Sequence, residues 1–145
     1  MENKFMRLAI REAEEAASAG EIPVGAVVVR GGQVIASAHN TRETEKNAVR
    51  HAEITAIERA CAAVGNWRLD DCDLYVTLEP CMMCAGAISQ ARLRRLYFGA
   101  YDPERGYIVS NPIDGFKTEH YCGIMEQECS RILAEFFERM RKFEI

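Results

Sequence analysis

The most informative stretch of this chain is Leu74-Tyr75-Val76-Thr77-Leu78-Glu79-Pro80-Cys81-Met82-Met83-Cys84. It begins with apolar and β-branched residues, which are typical of a short buried strand. Pro80 beside Cys81 suits the first turn of a helix, because the backbone N–H groups of that turn have no partner within the helix and proline has no N–H. We therefore predict a strand over 74–78 that leads directly into a helix ending near residue 91.

The sequence on either side predicts alternating helices and strands. Helical spacing of apolar residues indicates three more helices, over 5–17, 51–64 and about 124–141. β-Branched runs indicate three more strands, over 24–29, 33–36 and 95–99. Gly31-Gly32 suits a hairpin turn between the first two of these, whereas 40–50 and 101–122 are expected to be irregular. The order α-β-β-α-β-α-β-α favours one domain over residues 1–145, with helices on both faces of a parallel or mixed sheet.

Composition restricts the class of protein to which this chain can belong. With 145 residues, 48% of them apolar and 28% charged, it is large enough to fold without disulfide bonds. No run approaches the roughly 20 apolar residues of a membrane span, and acidic residues follow the N-terminus where a signal peptide would be apolar. We therefore expect a cytoplasmic protein with no membrane partner. Its net charge of −4 does not attract nucleic acid, so RNA binding would need a local basic patch.

Two predicted helix starts carry side chains that could bind a metal ion. Cys81 and Cys84 are three residues apart, so their sulfurs fall on one side of a helix whose positive N-terminal end favours thiolates. His51 would complete a Cys2His set and leave one position of a tetrahedral Zn²⁺ ion open to water. Glu53 lies on the apolar face of its helix, where a carboxyl group needs a partner, and would carry protons.

Each of these residues also has a simpler interpretation. A C-x-x-C pair occurs in redox dithiols, and a fourth protein ligand would turn the site into a structural one in a non-enzymatic interaction domain. The remaining cysteines and histidines are candidates for that ligand: Cys61, Cys72, Cys122, Cys129, His39 and His120. Glu53 could complement the helix dipole, and His51 could be a partly buried structural histidine. The combination is more specific, because H-x-E followed about 28 residues later by P-C-x-x-C is the pattern of zinc-dependent nucleobase deaminases.

With these motifs the chain resembles the cytidine deaminase-like superfamily and, within it, the bacterial tRNA adenosine deaminase family. The resemblance extends over nearly the whole chain and is carried by Glu21-Ile22-Pro23-Val24-Gly25-Ala26, Asn40, His51-Ala52-Glu53, Gly65-Asn66-Trp67-Arg68-Leu69, residues 74–88 and Phe136-Phe137. It implies a three-layer α/β/α fold with a central mixed sheet and a homodimer. It also implies a zinc-dependent hydrolase that converts adenosine to inosine at the wobble position of the tRNA anticodon loop.

The resemblance assigns the metal-binding and proton-transfer roles to the residues named above and implies three contacts to the substrate. Asn40 would hydrogen-bond the purine, Val24 would form a wall of the base pocket, and Asp102 would contact the sugar. The simpler interpretations are that Asn40 and Asp102 form turns and that Val24 belongs to the core.

Two features depart from the family pattern. Gly106-Tyr107-Ile108-Val109-Ser110-Asn111-Pro112 replaces a small, glycine-rich loop, and the sequence up to Cys122 is several residues short in a region that helps to hold the anticodon loop. Arg50 stands where the family commonly has a small or apolar residue, so it could address a phosphate or face solvent. These departures leave a second function open, the deamination of a free purine base, nucleoside or nucleotide of the adenine or guanine type.

The last predicted helix carries features that favour RNA. Phe136-Phe137 precede Arg139, Arg141 and Lys142, and such aromatic and cationic side chains suit unstacked bases and phosphates. In the simpler interpretation, Phe136 belongs to the core and the basic residues complement the helix dipole.

Overall fold

The helices and strands alternate along the chain as the hydrophobic pattern predicts. The structure, a computed structural model, describes residues 1–142. Its helices are α1 (Lys4–Ser18), α2 (Ala52–Val64), α3 (Met82–Gln90) and α4 (Glu126–Lys142). Its strands are β1 (Gly25–Arg30), β2 (Gln33–His39), β3 (Cys72–Leu78), β4 (Arg95–Ala100) and β5 (Glu119–Tyr121). Residues 143–145 of the predicted domain lie outside the described residues. No helix within 1–142 has both the length and the apolar character that crossing a membrane requires.

The strands form one mixed sheet, as predicted, and their order in it is β2-β1-β3-β4-β5. β1 is antiparallel to β2 and β3, whereas β3, β4 and β5 run parallel. Leu78 and Ala100 are paired at the carboxyl ends of β3 and β4, and β1 begins at the same edge. Loops at the carboxyl ends of parallel strands are where α/β proteins bind their ligands, so a ligand site is expected at this edge.

Successive residues of the strands enter two cores, one on each face of the sheet. Val28 and Val76 pack with the apolar residues of α2 and α3. Val27 and Val29 pack with those of α1 and α4. Burying a valine fully contributes about 1.5–3 kcal/mol relative to leaving it exposed. Because both faces are covered in this way, the predicted three-layer α/β/α arrangement is confirmed.

The expectation that 101–122 is irregular is wrong at its end, where β5 forms. This strand has only three residues, and its exposed Glu119 and Tyr121 give no apolar alternation that could announce it. Pairing with β4, from Glu119 opposite Arg95 to Tyr121 opposite Tyr97, makes it a strand. α4 also begins later than predicted, because Met125 adopts a left-handed backbone with φ of 55°.

Candidate metal centre and adjoining cavity

Three potential metal ligands meet where two helices begin. His51 is the N-cap residue of α2, Cys81 is that of α3, and Cys84 lies in the first turn of α3. Nδ1 of His51 lies 3.6 Å from the Sγ atom of each cysteine. The ligand atoms lie within 4.8 Å of one another, and no other His, Cys, Asp or Glu of residues 1–142 joins the group. The structure thus brings the predicted ligands together without the fourth ligand of a closed site.

The spacing and chemistry of these atoms fit a zinc ion. Zinc binds thiolate sulfur at about 2.3 Å and imidazole nitrogen at about 2.0–2.1 Å, and a tetrahedral angle then places nitrogen and sulfur about 3.6 Å apart. The observed nitrogen–sulfur separations are 3.6 Å. Two sulfurs and an imidazole also select zinc over cations that prefer oxygen ligands, such as magnesium and calcium.

The two cysteines differ in proton affinity. A hydrogen bond with Cys84 lowers the pKa of Cys81 to about 4, and the bond to His51 acts in the same direction against burial. The hydrogen bond with Cys81, together with burial, raises the pKa of Cys84. The sulfur of Cys81 is therefore negative at neutral pH, and a bound cation would displace the proton of Cys84.

Glu53 lies in the first turn of α2 and is only 4% exposed. Burial raises the pKa of Glu53 to about 7. Its carboxyl group can therefore take up or release a proton near neutral pH. A glutamate that only complemented the helix dipole would have no reason to be buried, so this burial favours the proton-transfer interpretation.

A cavity of about 480 Å³ adjoins Glu53, a size that suits a small organic ligand. The segment before β1, the loop after β2, the chain after β4 and one side of α4 all contribute to its walls. The three predicted substrate contacts, Val24, Asn40 and Asp102, all line it.

The simpler interpretations of these three residues hold at the same time. The side-chain amide of Asn40 donates to the carbonyl of Ile22 and accepts from the N–H of Arg42, both at 3.1 Å. The carboxylate of Asp102 accepts from the N–H of Arg105 at 3.1 Å, which closes a turn. Val24 belongs to the core and is 9% exposed. Residues that face the cavity thus also hold its walls in place.

Sequence reasoning missed several residues of the cavity wall. Arg42 and Arg105 bring two cations to it from different loops, and Tyr101 follows β4 into it. Glu79, also on the wall, is buried with 2% exposure. Its position was a usable signal, because an acidic residue between a buried strand and a helix start is out of place unless it is hydrogen-bonded.

Three further residues singled out from the sequence lie in different surroundings. Arg50 does not line the cavity, since its guanidinium group lies 2.5 Å from the carboxylate of Glu58 on the outer side of α2. Phe137 lines the cavity and is 42% exposed, while Phe136 is buried as its simpler interpretation held.

Comparison with known proteins agrees with this geometry. The model of the MafB19-like deaminase family matches residues 1–141. The tRNA-specific adenosine deaminase of Bacillus subtilis (strain 168) is 44% identical over 144 residues, which cover 95% of this chain and 89% of that protein. A structure solved in a study of A-to-I editing by tRNA:A34 deaminases is 46% identical, with a TM-score of 0.83, covering 90% of this chain and 99% of that one. The X-ray structure of a guanine deaminase from Bacillus subtilis is 32% identical, with a TM-score of 0.66, covering 99% and 96%.

Proposed function

Because the chain belongs to the MafB19-like deaminases, and among them to the tRNA-specific adenosine deaminases, we propose that it converts adenosine to inosine at the wobble position of a tRNA anticodon loop. The observation that carries the proposal is the convergence of three metal ligands and a buried carboxyl group at one cavity. We propose further that residues 1–145 form one deaminase domain that works in the cytoplasm.

His51, Cys81 and Cys84 would hold a zinc ion, which when bound would activate water for attack on the amine-bearing carbon of the purine. Glu53 would accept a proton from the attacking water and deliver it to the departing amino group, so that ammonia leaves as the new carbon–oxygen bond replaces the carbon–nitrogen bond. A carboxyl group with a pKa of about 7 can perform both steps near neutral pH.

The cavity wall supplies the means to hold the nucleotide. Val24 would contact the apolar face of the base, Asn40 would hydrogen-bond it, and Asp102 would meet the sugar. Arg42 and Arg105 would lie near the flanking phosphates, since both line the cavity from exposed loops. Phe137 offers an exposed ring on which an unstacked base could lie.

Deamination of free guanine is the second candidate function, and the guanine deaminase similar to this chain over nearly its whole length favours it. The higher identity and TM-score of the tRNA:A34 deaminase structure favour RNA.

A substrate panel separates the two candidates. The purified protein is offered an anticodon stem-loop with adenosine at the wobble position and, separately, adenine, guanine, adenosine and guanosine. Ammonia release is measured, and the nucleoside product is identified by mass spectrometry. We expect ammonia from the stem-loop only, with one inosine per molecule, and a stem-loop with guanosine at that position is the control. Ammonia from guanine with none from RNA would contradict the proposal.

The homodimer remains a prediction, and we propose it on the family resemblance. Light scattering during size-exclusion chromatography is expected to give twice the 16.3 kDa of one chain. A mass of a single chain at the concentration of the activity assay would contradict it.

A further inference from the structure

Glu79 is a buried carboxylate for which the chemistry proposed above has no use. It follows the last residue of β3 and directly precedes Pro80 and Cys81, and its backbone N–H donates to the carbonyl of Ala100 at 2.8 Å. The residue is 2% exposed, and among the described residues no cation forms a salt bridge with it. A buried charge in such a place must be stabilised by hydrogen bonds.

The carboxylate accepts five hydrogen bonds from one segment of the chain. Oε1 accepts from the N–H of Asp102 at 3.1 Å and from the hydroxyl of Ser110 at 2.5 Å. Oε2 accepts from the N–H groups of Ile108, Val109 and Ser110 at 3.1, 2.8 and 2.9 Å. These donors lie at both ends of 102–110, so one side chain closes the whole segment into a loop. We call residues 102–110 the wall loop.

The wall loop fits closely around the carboxylate. A Cβ atom on Gly106 would lie 2.3 Å from the carboxyl carbon of Glu79, so no other residue fits there without a shift. The N–H of Tyr107 donates to the carbonyl of Pro80 at 2.9 Å, and the amide of Asn111 donates to the carbonyl of Gly106 at 3.0 Å. Much of the wall loop's polar backbone is therefore bound to Glu79 and its neighbours rather than to a strand or helix.

The outer side of the wall loop is part of the cavity. The cavity is lined by four consecutive residues of the wall loop, Asp102, Pro103, Glu104 and Arg105. The first of the five hydrogen bonds is donated by the backbone N–H of Asp102, where this stretch begins. The Glu79 carboxylate therefore helps to set where the side chains of Asp102 and Arg105 lie relative to a bound nucleotide.

We propose that Glu79 is a positioning residue that sets the substrate-facing side of the wall loop and so determines the affinity for RNA. This inference rests on the proposed function. Glu79 acts through the wall loop, whose donors occupy both of its carboxylate oxygens.

The test compares Glu79→Gln with Asp73→Asn in the zinc-loaded full chain. Glutamine keeps the shape of Glu79 but loses its charge and presents an N–H₂ group to an N–H donor. Asp73 is another buried acid, but it lies near the start of β3 and pairs with Arg94 at 2.9 Å. For Glu79→Gln we expect KM for the anticodon stem-loop to rise about tenfold while kcat changes less than about threefold. Asp73→Asn is expected to keep the wild-type KM, and both variants are expected to keep one zinc per chain.

Ser110→Ala is the graded variant, because it removes one of the five hydrogen bonds and leaves the carboxylate in place. We expect Ser110→Ala to raise KM for the stem-loop about two- to threefold. If Glu79→Gln does not fold, the KM of Ser110→Ala is the test of the proposal. An unchanged KM in the folded variants overturns the proposal, as does a loss confined to kcat or an equal rise of KM in Asp73→Asn. A wild-type protein that is inactive on the stem-loop contradicts the proposed function instead, so the two failures are distinct.

Discussion

Two buried carboxyl groups beside the cavity have pKa values that are shifted in opposite directions. Burial raises the pKa of Glu53 to about 7. Burial alone would also raise the pKa of Glu79, but hydrogen bonds from Ser110, Val109 and Asp102 outweigh it and hold that pKa below its ordinary value. The same side chain is thus suited to proton exchange at one position and to permanent charge at the other, because only the second has enough donors.

Replacing Glu53 by alanine is expected to abolish turnover and leave metal binding intact. A general acid and base typically contributes about 100- to 10,000-fold to a rate, so kcat is expected to fall by that factor. Zinc content, measured by atomic absorption on the same sample, is expected to stay at one per chain, since the ligands are other residues. Glu58→Ala, on the same helix but outside the cavity lining, is the control and keeps the wild-type rate. A Glu53→Ala protein with near-normal turnover, or one without zinc, would count against the assigned role.

Replacing Glu79 by glutamine is expected to change the dependence of stability on pH. Because the folded pKa of Glu79 lies below its ordinary value of 4.5, the ionised group stabilises the fold above that pH. This stabilisation is lost as the pH falls through the folded pKa. At pH 7 we expect the variant to be less stable by about 1–3 kcal/mol, and the difference is expected to shrink below pH 4.5. Urea unfolding of the wild type and of Glu79→Gln at pH 7 and at pH 4 measures the difference in their free energies of unfolding. A difference that is larger at pH 4 than at pH 7 would contradict the stabilising role of the ionised carboxylate.

Helix α1 lies so close to β1 that only glycine fits between them. A Cβ atom on Gly25 would lie 2.0 Å from the carbonyl oxygen of Ala9 and 2.5 Å from the nitrogen of Ala13. Both are backbone atoms, so the contact could be relieved only by moving the helix. The close approach fixes the start of β1, and with it Val24, at the cavity.

A pair of glycine substitutions tests this close approach. Gly25→Ala is expected to destabilise the fold by about 3 kcal/mol or more, at or beyond the upper end of the usual cost of overpacking. Gly86→Ala, in α3, is the matched control, because its Cβ would meet nothing within 4 Å. Alanine favours a helix over glycine by up to about 1 kcal/mol, so this variant is expected to be as stable as the wild type or more so. Thermal unfolding of both variants measures the effect, and equal melting temperatures would refute the steric argument.

The helices, the main strands and the pairing of Cys81 with Cys84 could be predicted from the sequence, because each depends on local spacing. The approach of His51 to these cysteines spans 30 residues or more and was predicted from the motif and from the position of each residue at a helix start. Two helix starts at one sheet edge follow from the α/β alternation alone. The wall loop could not be predicted in this way, since its shape is fixed by a carboxylate more than twenty residues earlier in the chain. β5 was missed for a related reason, because it becomes a strand only through pairing with β4.

The basic side chains that could contact RNA outside the cavity lie together at the end of α4. The chain carries a net charge of −4, and the cavity lining holds four acidic residues, Glu53, Glu79, Asp102 and Glu104, beside Arg42 and Arg105. The last turn of α4 carries Arg139, Arg141 and Lys142, one helical turn beyond the Phe137 ring that lines the cavity. Because phosphate contacts are local, this group can attract RNA although the whole protein is acidic.

Affinity for the anticodon stem-loop is therefore expected to fall steeply with salt, and the end of α4 is expected to account for part of the slope. Each phosphate contact to single-stranded RNA contributes about 0.7 to the steepness with which the logarithm of the binding constant falls with the logarithm of salt concentration. Replacing Arg139, Arg141 and Lys142 by alanine is therefore expected to reduce this slope by up to about 2. Arg30→Ala with Arg68→Ala is the control, since both residues pair with aspartates and line no part of the cavity. Fluorescence anisotropy at several salt concentrations measures the slopes. A flat response in the wild type, or an equal loss in the control, would show that the end of α4 does not bind phosphate.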